Sequence, residues 1–222
     1  MLPKVPAEVN PFVEKVLDKI NAEFDPEFIP VIPEPYAKPE NCFANVDEKV
    51  KRDGGKVHYG WAIFQSSIIC EAERHAVWEN DNEELIDITP REFGFENIMF
   101  VSDNNLVYRG QLIDNARINI TNNKLVDDYI KLCETLEFFY TYGTRLNDDM
   151  LNVPEPALTL TFQYQNLKNM FQAYLYQGGT EQTPCLCGSE MKYKKCHGRN
   201  LRVNFQNDLL KVSKMLKERP LA

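Results

Sequence analysis

Four metal-type donors stand within thirteen residues of this chain, in "CLCGSEMKYKKCH" at 185–197. Cys185-x-Cys187, eight residues, then Cys196-His197 supply three thiolates and one imidazole. That set fills a tetrahedral shell and leaves no open position for water, the pattern of a structural zinc site. Soft sulfur ligands favour zinc over hard cations. Any fold of this chain must bring both ends of the stretch together, and Gly188-Ser189 permits the sharp turn this needs.

The stretch resembles the SEC-C motif, the short zinc-binding tail known from the C-terminus of the SecA translocation motor. The matching residues are Cys185, Cys187, Gly188, Ser189, Lys192, Tyr193, Lys194, Lys195, Cys196, His197 and Gly198. Leu186 stands where the family usually has proline, and Glu190-Met191 where it prefers Gly-Lys. Neither departure removes a ligand. The resemblance implies one structural zinc held by Cys185, Cys187, Cys196 and His197. It also implies a docking element for a protein partner, appended to bodies of many kinds, so the function of this body must be read elsewhere.

Charge is divided unevenly. The net charge of the 222 residues is −8, yet residues 185–222 carry nine Lys/Arg against three Asp/Glu. An acidic body argues against broad nucleic-acid binding, while a basic C-terminal segment can meet RNA, the ribosome or an acidic protein. Lys192, Lys194 and Lys195 also offset the thiolates beside them. No apolar run approaches the ~18–20 residues that span a bilayer, so no membrane insertion is expected. The N-terminus, "MLPKVPAEVN", lacks a signal peptide's layout. A cytoplasmic location follows as the expectation, where six cysteines serve as ligands, nucleophiles or core filler. Cys70 and Cys133 read as core filler.

Along the chain, Val9, Phe12, Val13, Val16, Leu17 and Ile20 form a helical stripe. The proline-rich "DPEFIPVIPEPYAKPEN" must then run extended. Asn41 is placed to cap a short helix that Gly54-Gly55 stops. "KVHYGWAIFQ", "IICEAERHAVWE", "ELIDITP", "NIMFVSD" and "LVYRGQLI" read as strands. Helical spacing returns over 123–142 and 156–177, and an amphipathic helix over 202–219 closes the chain.

A second constellation lies in the body. If "CEAERHAVWENDNEELIDITP" is a hairpin turning at Asn80–Asn82, His75 stands directly opposite Asp87. Cross-strand partners share a face with Cβ atoms about 5 Å apart, close enough for a carboxylate to orient an imidazole. Cys42, in the first turn of the capped helix, is the candidate nucleophile, because a helix N-terminus favours a thiolate. His58, on a neighbouring strand, is the spare base. Trp78 and the "YGWAIF" stretch read as core or cleft wall.

Cysteine on a helix start, then histidine on a strand, then aspartate on the next strand is similar to the papain-like superfamily, especially its transglutaminase-like and NlpC-type branches. "HAVWENDNEELIDITP" resembles the transglutaminase-type stretch, in which a His near an aromatic precedes a turn and an Asp-x-Thr. The context "NCFANV" departs from papain. The resemblance implies an α+β fold: a papain-like antiparallel sheet with an N-terminal helix packed on it, further helices and a small C-terminal zinc-binding motif.

Two function classes follow. In one, the body is a Cys42–His75–Asp87 thiol hydrolase or acyl transferase acting on an amide or thioester, with the zinc motif for docking. In the other, the body is a silent papain-like scaffold or an unrelated α+β domain, and the protein a non-catalytic zinc-binding interaction module. The expected division is an N-terminal helix and Pro-rich segment over 1–40, a papain-like body over 41–180, the zinc motif over 183–200 and a C-terminal helix over 201–222.

Overall fold

The N-terminal stripe folds as α1 (Pro11–Ile20), started by Asn10, whose side chain accepts from the Phe12 and Val13 N–H groups. In the computed structural model, the described residues are 2–106, 108–110, 114–147 and 150–217. Two units separate by their contacts, residues 1–110 with 115–120 and residues 111–114 with 121–222. The helices over 124–140 and 157–176, grouped with the sheet in the sequence reading, cluster instead with the zinc motif.

The first unit is a mixed α/β body built on an antiparallel sheet. Its elements after α1 are β1 (Glu27–Pro30), α2 (Cys42–Asp53), β2 (Lys56–Gln65), β3 (Ile69–Glu79), β4 (Leu85–Ile86), β5 (Asn97–Ser102) and β6 (Ala116–Asn119). The strand order is β1-β5-β2-β3-β4, and β6 pairs β3. β1 forms inside the proline-rich segment, which therefore joins the sheet as well as running extended. Beyond it the chain bonds the continuation of β4: Ile32 N–H donates to Asp87 O at 2.8 Å and Glu34 N–H to Ile88 O at 3.0 Å. The two edges of the sheet thus meet.

Alternation gives the sheet two buried faces. One packs Ile29, Ala62, Phe64, Val77, Ile98 and Phe100 against one another. On the other face, Trp61, Ile63, Cys70, Ala72, Met99 and Val101 lie under Val13 and Val16 of α1. Cys42 and Val46 of α2 cover Ala76 and Ile88 on that same face. Each fully buried Val, Ile, Met or Phe among these contributes about 1.5–3 kcal/mol. α2 ends at Gly54, whose φ of 79° suits a residue without Cβ.

The β3–β4 register differs from the expected one. Trp78 pairs Ile86 and Glu79 pairs Leu85. The Asn80 side chain accepts from the Asn82 and Glu84 N–H groups, which sets the loop at 81–83. Asp87 is therefore displaced by two positions and sits diagonal to His75. A shift of two leaves both side chains on one face. The strand expected over 106–113 falls partly outside the described residues, and 108–110 are not strand.

The second unit holds α3 (Lys124–Tyr140), the hairpin β7 (Thr144–Asn147) with β8 (Met150–Asn152), α4 (Ala157–Tyr176), a 3-10 turn over Tyr193–Lys195, and α5 (His197–Lys217). The Asn123 side chain caps α3 by accepting from Leu125 N–H. Leu125, Tyr129, Leu132, Cys133, Leu136 and Phe139 of α3 are buried, and so are Phe171 and Leu175 of α4 and Phe205 and Val212 of α5. α5 starts at His197, five residues before the expected start. Among the described residues, no helix is long and apolar enough to cross a membrane.

Candidate functional site

The cysteine cluster is built by a short antiparallel return. Pro184 bridges Lys192, Cys185 N–H donates to Met191 O at 2.8 Å, and Gly188 turns the chain with φ 78°. Cys196 follows the 3-10 turn and His197 begins α5. Cys185 Sγ lies 3.2 Å from His197 Nδ1, Cys187 Sγ 3.7 Å from Cys196 Sγ, and Cys196 Sγ 3.6 Å from His197 Nδ1. All four donor atoms lie within 4.8 Å of one another. A tetrahedral ion with ~2.3 Å bonds to sulfur separates two sulfurs by ~3.8 Å. The donors therefore fit a metal of zinc's size and taste in ligands. When bound, such an ion closes the shell and cross-links the loop to α5.

The cluster is anchored within its own unit. Tyr193 is 1% exposed, its hydroxyl donates to Asp128 Oδ2 at 3.1 Å, and its ring meets Phe171 edge-on at 5.8 Å. Arg202 Nε donates to the other Asp128 oxygen at 2.7 Å. Gly198 passes so close to the Tyr193 ring that a Cβ there would stand 2.5 Å from Cε1. The SEC-C motif family matches residues 183–199. No curated protein matches the chain, and no solved structure does.

In the first unit, His75 and Asp87 meet as a pair, with His75 Nε2 3.0 Å from Asp87 Oδ1. They are 1% and 0% exposed. Arg91, unforeseen from sequence, completes the group. Its Nε donates to Asp87 Oδ2 at 3.0 Å, its Nη1 to Glu73 Oε1 at 3.1 Å, and its Nη2 lies 2.8 Å from His75 Nε2. Its guanidinium also covers the Phe64 ring. Thr89 N–H donates to Asp87 Oδ1.

The electrostatics follow from these contacts. Burial works against a charged imidazole, but the Asp87 carboxylate outweighs it and raises His75 to about 10. Arg91 opposes that shift, and a thiolate at Cys42 would reinforce it. Burial also pushes the Asp87 carboxyl upward, yet His75 and Arg91 prevail and hold it down at about 2. Nε2 cannot donate to Asp87 and accept from Arg91 at once. With the ring charged, its proton points to the carboxylate.

Cys42 opens α2 as expected, although the Asn41 side chain makes no capping bond. The thiol is 8% exposed and packs with Ala76 and Ile88. It acts electrostatically on His75, but no hydrogen bond joins the two. His75 Nδ1 is buried without a hydrogen-bond partner among the described residues, and Glu73 Oε1 stands 4.0 Å from it. His58 lies apart from this group, bonded to Glu79 and Ser102. Cys70 and Cys133 are core, 0% and 1% exposed.

Proposed function

We propose that the body is a thiol-dependent acyl-transfer catalyst of papain-like arrangement, and that the zinc-loaded SEC-C motif docks it on a protein partner. One observation carries this reading. His75 is tied to Asp87 through Nε2, while its other ring nitrogen is buried without a hydrogen bond, has Glu73 Oε1 at 4.0 Å, and feels the charge of a thiolate at Cys42. An acid-oriented imidazole with its second nitrogen open is what a cysteine nucleophile needs.

In the proposed step Cys42 Sγ bonds to the carbonyl carbon of an amide or thioester. His75 passes a proton to the leaving amine or thiol as the bond to it breaks. Water, deprotonated by His75, then releases the acyl group and restores the thiol. Asp87 holds the ring in place, and Arg91 holds Asp87. Cys42 packs on Ala76 and Ile88, whose side chains alternate with those of His75 and Asp87 and so point to the other face. The role requires the start of α2 to bring Sγ round the sheet edge to the imidazole on substrate engagement. The chain order of cysteine, histidine and aspartate supports the papain-like arrangement.

The second reading keeps the zinc motif as a docking element on a silent scaffold. It is favoured by the burial of Cys42, His75 and Asp87, which leaves the group enclosed like a structural ion network.

Alkylation of Cys42 by iodoacetamide, followed by peptide mass spectrometry between pH 6 and 9, separates the two readings. The catalytic reading expects fast labelling near pH 6.5 that drops at least tenfold in His75→Ala. Equal rates in both proteins assign the group to the scaffold.

A further inference from the structure

The sheet carries another relay that neither the metal centre nor the thiol site uses. Ser102 Oγ lies 2.8 Å from His58 Nε2, and His58 Nδ1 lies 2.8 Å from Glu79 Oε2. Glu79 Oε1 is held in turn by Lys56 Nζ at 2.7 Å. These residues come from three adjacent strands. Glu79 pairs Lys56 and Val77 pairs His58, so Glu79 is diagonal to His58. Ser102 pairs Gly60, so it is diagonal to His58 on the other side. Diagonal positions share a face, and acid, imidazole and hydroxyl line up across β3, β2 and β5.

The order of atoms along this line is specific. With Nδ1–H donating to the carboxylate, Nε2 is left as acceptor for the Ser102 hydroxyl. That is the tautomer in which an imidazole serves as a base toward a serine. Glu79 is 7% exposed and pinned at both oxygens, so it fixes the ring from a buried position. His58 and Ser102 are half-buried.

A donor for a developing oxyanion is also present. Asp103 N–H donates to Tyr59 O at 3.0 Å, which makes 59 and 103 a hydrogen-bonded pair. Antiparallel ladders alternate, so in the adjacent 60–102 pair Ser102 turns its own N–H away from β2. On that side β1 reaches only as far as Glu27 opposite Phe100. The Ser102 N–H is thus directed beyond the end of β1.

We propose that Ser102, His58 and Glu79 form a second nucleophilic site, a serine esterase centre for small carboxylic esters. A small acyl group is expected because Gly60, opposite Ser102, already has Val101 O 2.2 Å and Phe100 Cζ 2.5 Å from where a Cβ would stand. Ser102 Oγ bonds to the ester carbonyl carbon as His58 Nε2 takes its proton. The carbonyl oxygen takes the negative charge beside the Ser102 N–H. His58 then gives the proton to the leaving alkoxide as that carbon–oxygen bond breaks. Water, deprotonated by His58, cleaves the acyl-serine and returns the proton to Ser102, so ester and water become acid and alcohol.

The test uses the full-length, zinc-loaded chain with an alkyl fluorophosphonate, and reads the adduct by peptide mass spectrometry. The proposal expects phosphonylation of Ser102, none there in Ser102→Ala, and labelling at least tenfold slower in His58→Gln. Circular dichroism confirms that each variant is folded. No adduct at Ser102 in folded protein overturns the proposal. So does labelling that ignores His58→Gln, which would mark an ordinary exposed serine. Hydrolysis of p-nitrophenyl acetate then separates the two sites. Activity that falls at least tenfold in Ser102→Ala and in His58→Gln supports the serine centre, whereas a rate unchanged in Ser102→Ala assigns esterolysis to the thiol alone and overturns it.

Discussion

Tyr193, inside the metal-binding motif, donates its hydroxyl to Asp128 of α3 at 3.1 Å. The motif is therefore wired into a helical unit instead of hanging from it. Asp128 also receives Arg202 of α5, and the Tyr193 ring rests on Phe171 of α4. All three helices converge on one buried aromatic whose position depends on the loop between Cys185 and Cys196.

Metal removal should act through that aromatic. A cross-link that exists only with the ion present stabilises the folded loop as binding free energy. Chelation is expected to expose amides of 183–200 to hydrogen exchange and to weaken protection in α3 and α5 around Asp128 and Leu201. Peptides from β2 and β3 should exchange unchanged, since their core lies in the other unit. Equal loss of protection in β2 and β3 would show that the sheet unit does not stand on its own core.

Gly198→Ala probes the same contact without touching a ligand. The added methyl would stand 2.5 Å from the Tyr193 ring and 3.1 Å from Tyr193 O. Overpacking of this kind costs about 1–3 kcal/mol. Zinc affinity, measured by competition with a chromophoric chelator, should fall by roughly tenfold or more, because 1.4 kcal/mol is a factor of ten. An unchanged affinity would mean that the ring moves aside freely.

The pH dependence of the sheet unit follows from His75 and Asp87. His75 has its pKa raised from 6.5 to about 10 on folding, with burial opposing and Asp87 prevailing. Its contribution is fully present below pH 6.5 and is lost as pH climbs through about 10. Asp87 is lowered from 3.8 to about 2, again against burial and through His75. Its contribution is full above pH 3.8 and is lost as pH falls through about 2. Stability from the pair is therefore greatest between roughly pH 4 and 6.5. Urea midpoints measured across pH 3–10 should show that plateau, and His75→Gln should flatten the alkaline limb. A limb of equal slope in the variant would place the titration elsewhere.

How much of this was legible from sequence depends on how local each feature is. The metal ligands lie within one short stretch, and the strand over 56–65 matches β2 end to end because its flanking glycines and alternation are local. The 75–87 pairing was legible in face but not in register, since Asn80 and the left-handed Glu83, at φ 64°, decide the loop. Arg91 follows Asp87 by four residues, and nothing in its neighbours marks it as a partner of that carboxylate. The strands at 116–119, 144–147 and 150–152 are too short to show a period. His58, Glu79 and Ser102 are separated by more than twenty residues each, and only the strand order β3-β2-β5 unites them. That order is a long-range choice that no local pattern encodes.

Asn45 tests whether the segment before Cys42 is held from within the helix. One turn into α2, its Oδ1 accepts from Lys38 N–H at 2.9 Å, and its Nδ2 donates to Lys38 O at 2.8 Å and Thr89 Oγ1 at 3.2 Å. At 5% exposure it is the buried link between the entry to α2 and the strand end after Asp87. Removing it deletes its bond to the buried Thr89 hydroxyl and both of its bonds to the Lys38 backbone, and a buried polar group so stranded costs about 1–3 kcal/mol. Asn45→Ala should therefore lower the urea midpoint of the sheet unit clearly. It should also raise proteolysis within 35–41, because the amide bonds both the N–H and the carbonyl of Lys38 in that segment. A large stability loss with unchanged cleavage there would mean that Asn45 serves the core and leaves the entry to Cys42 to other contacts.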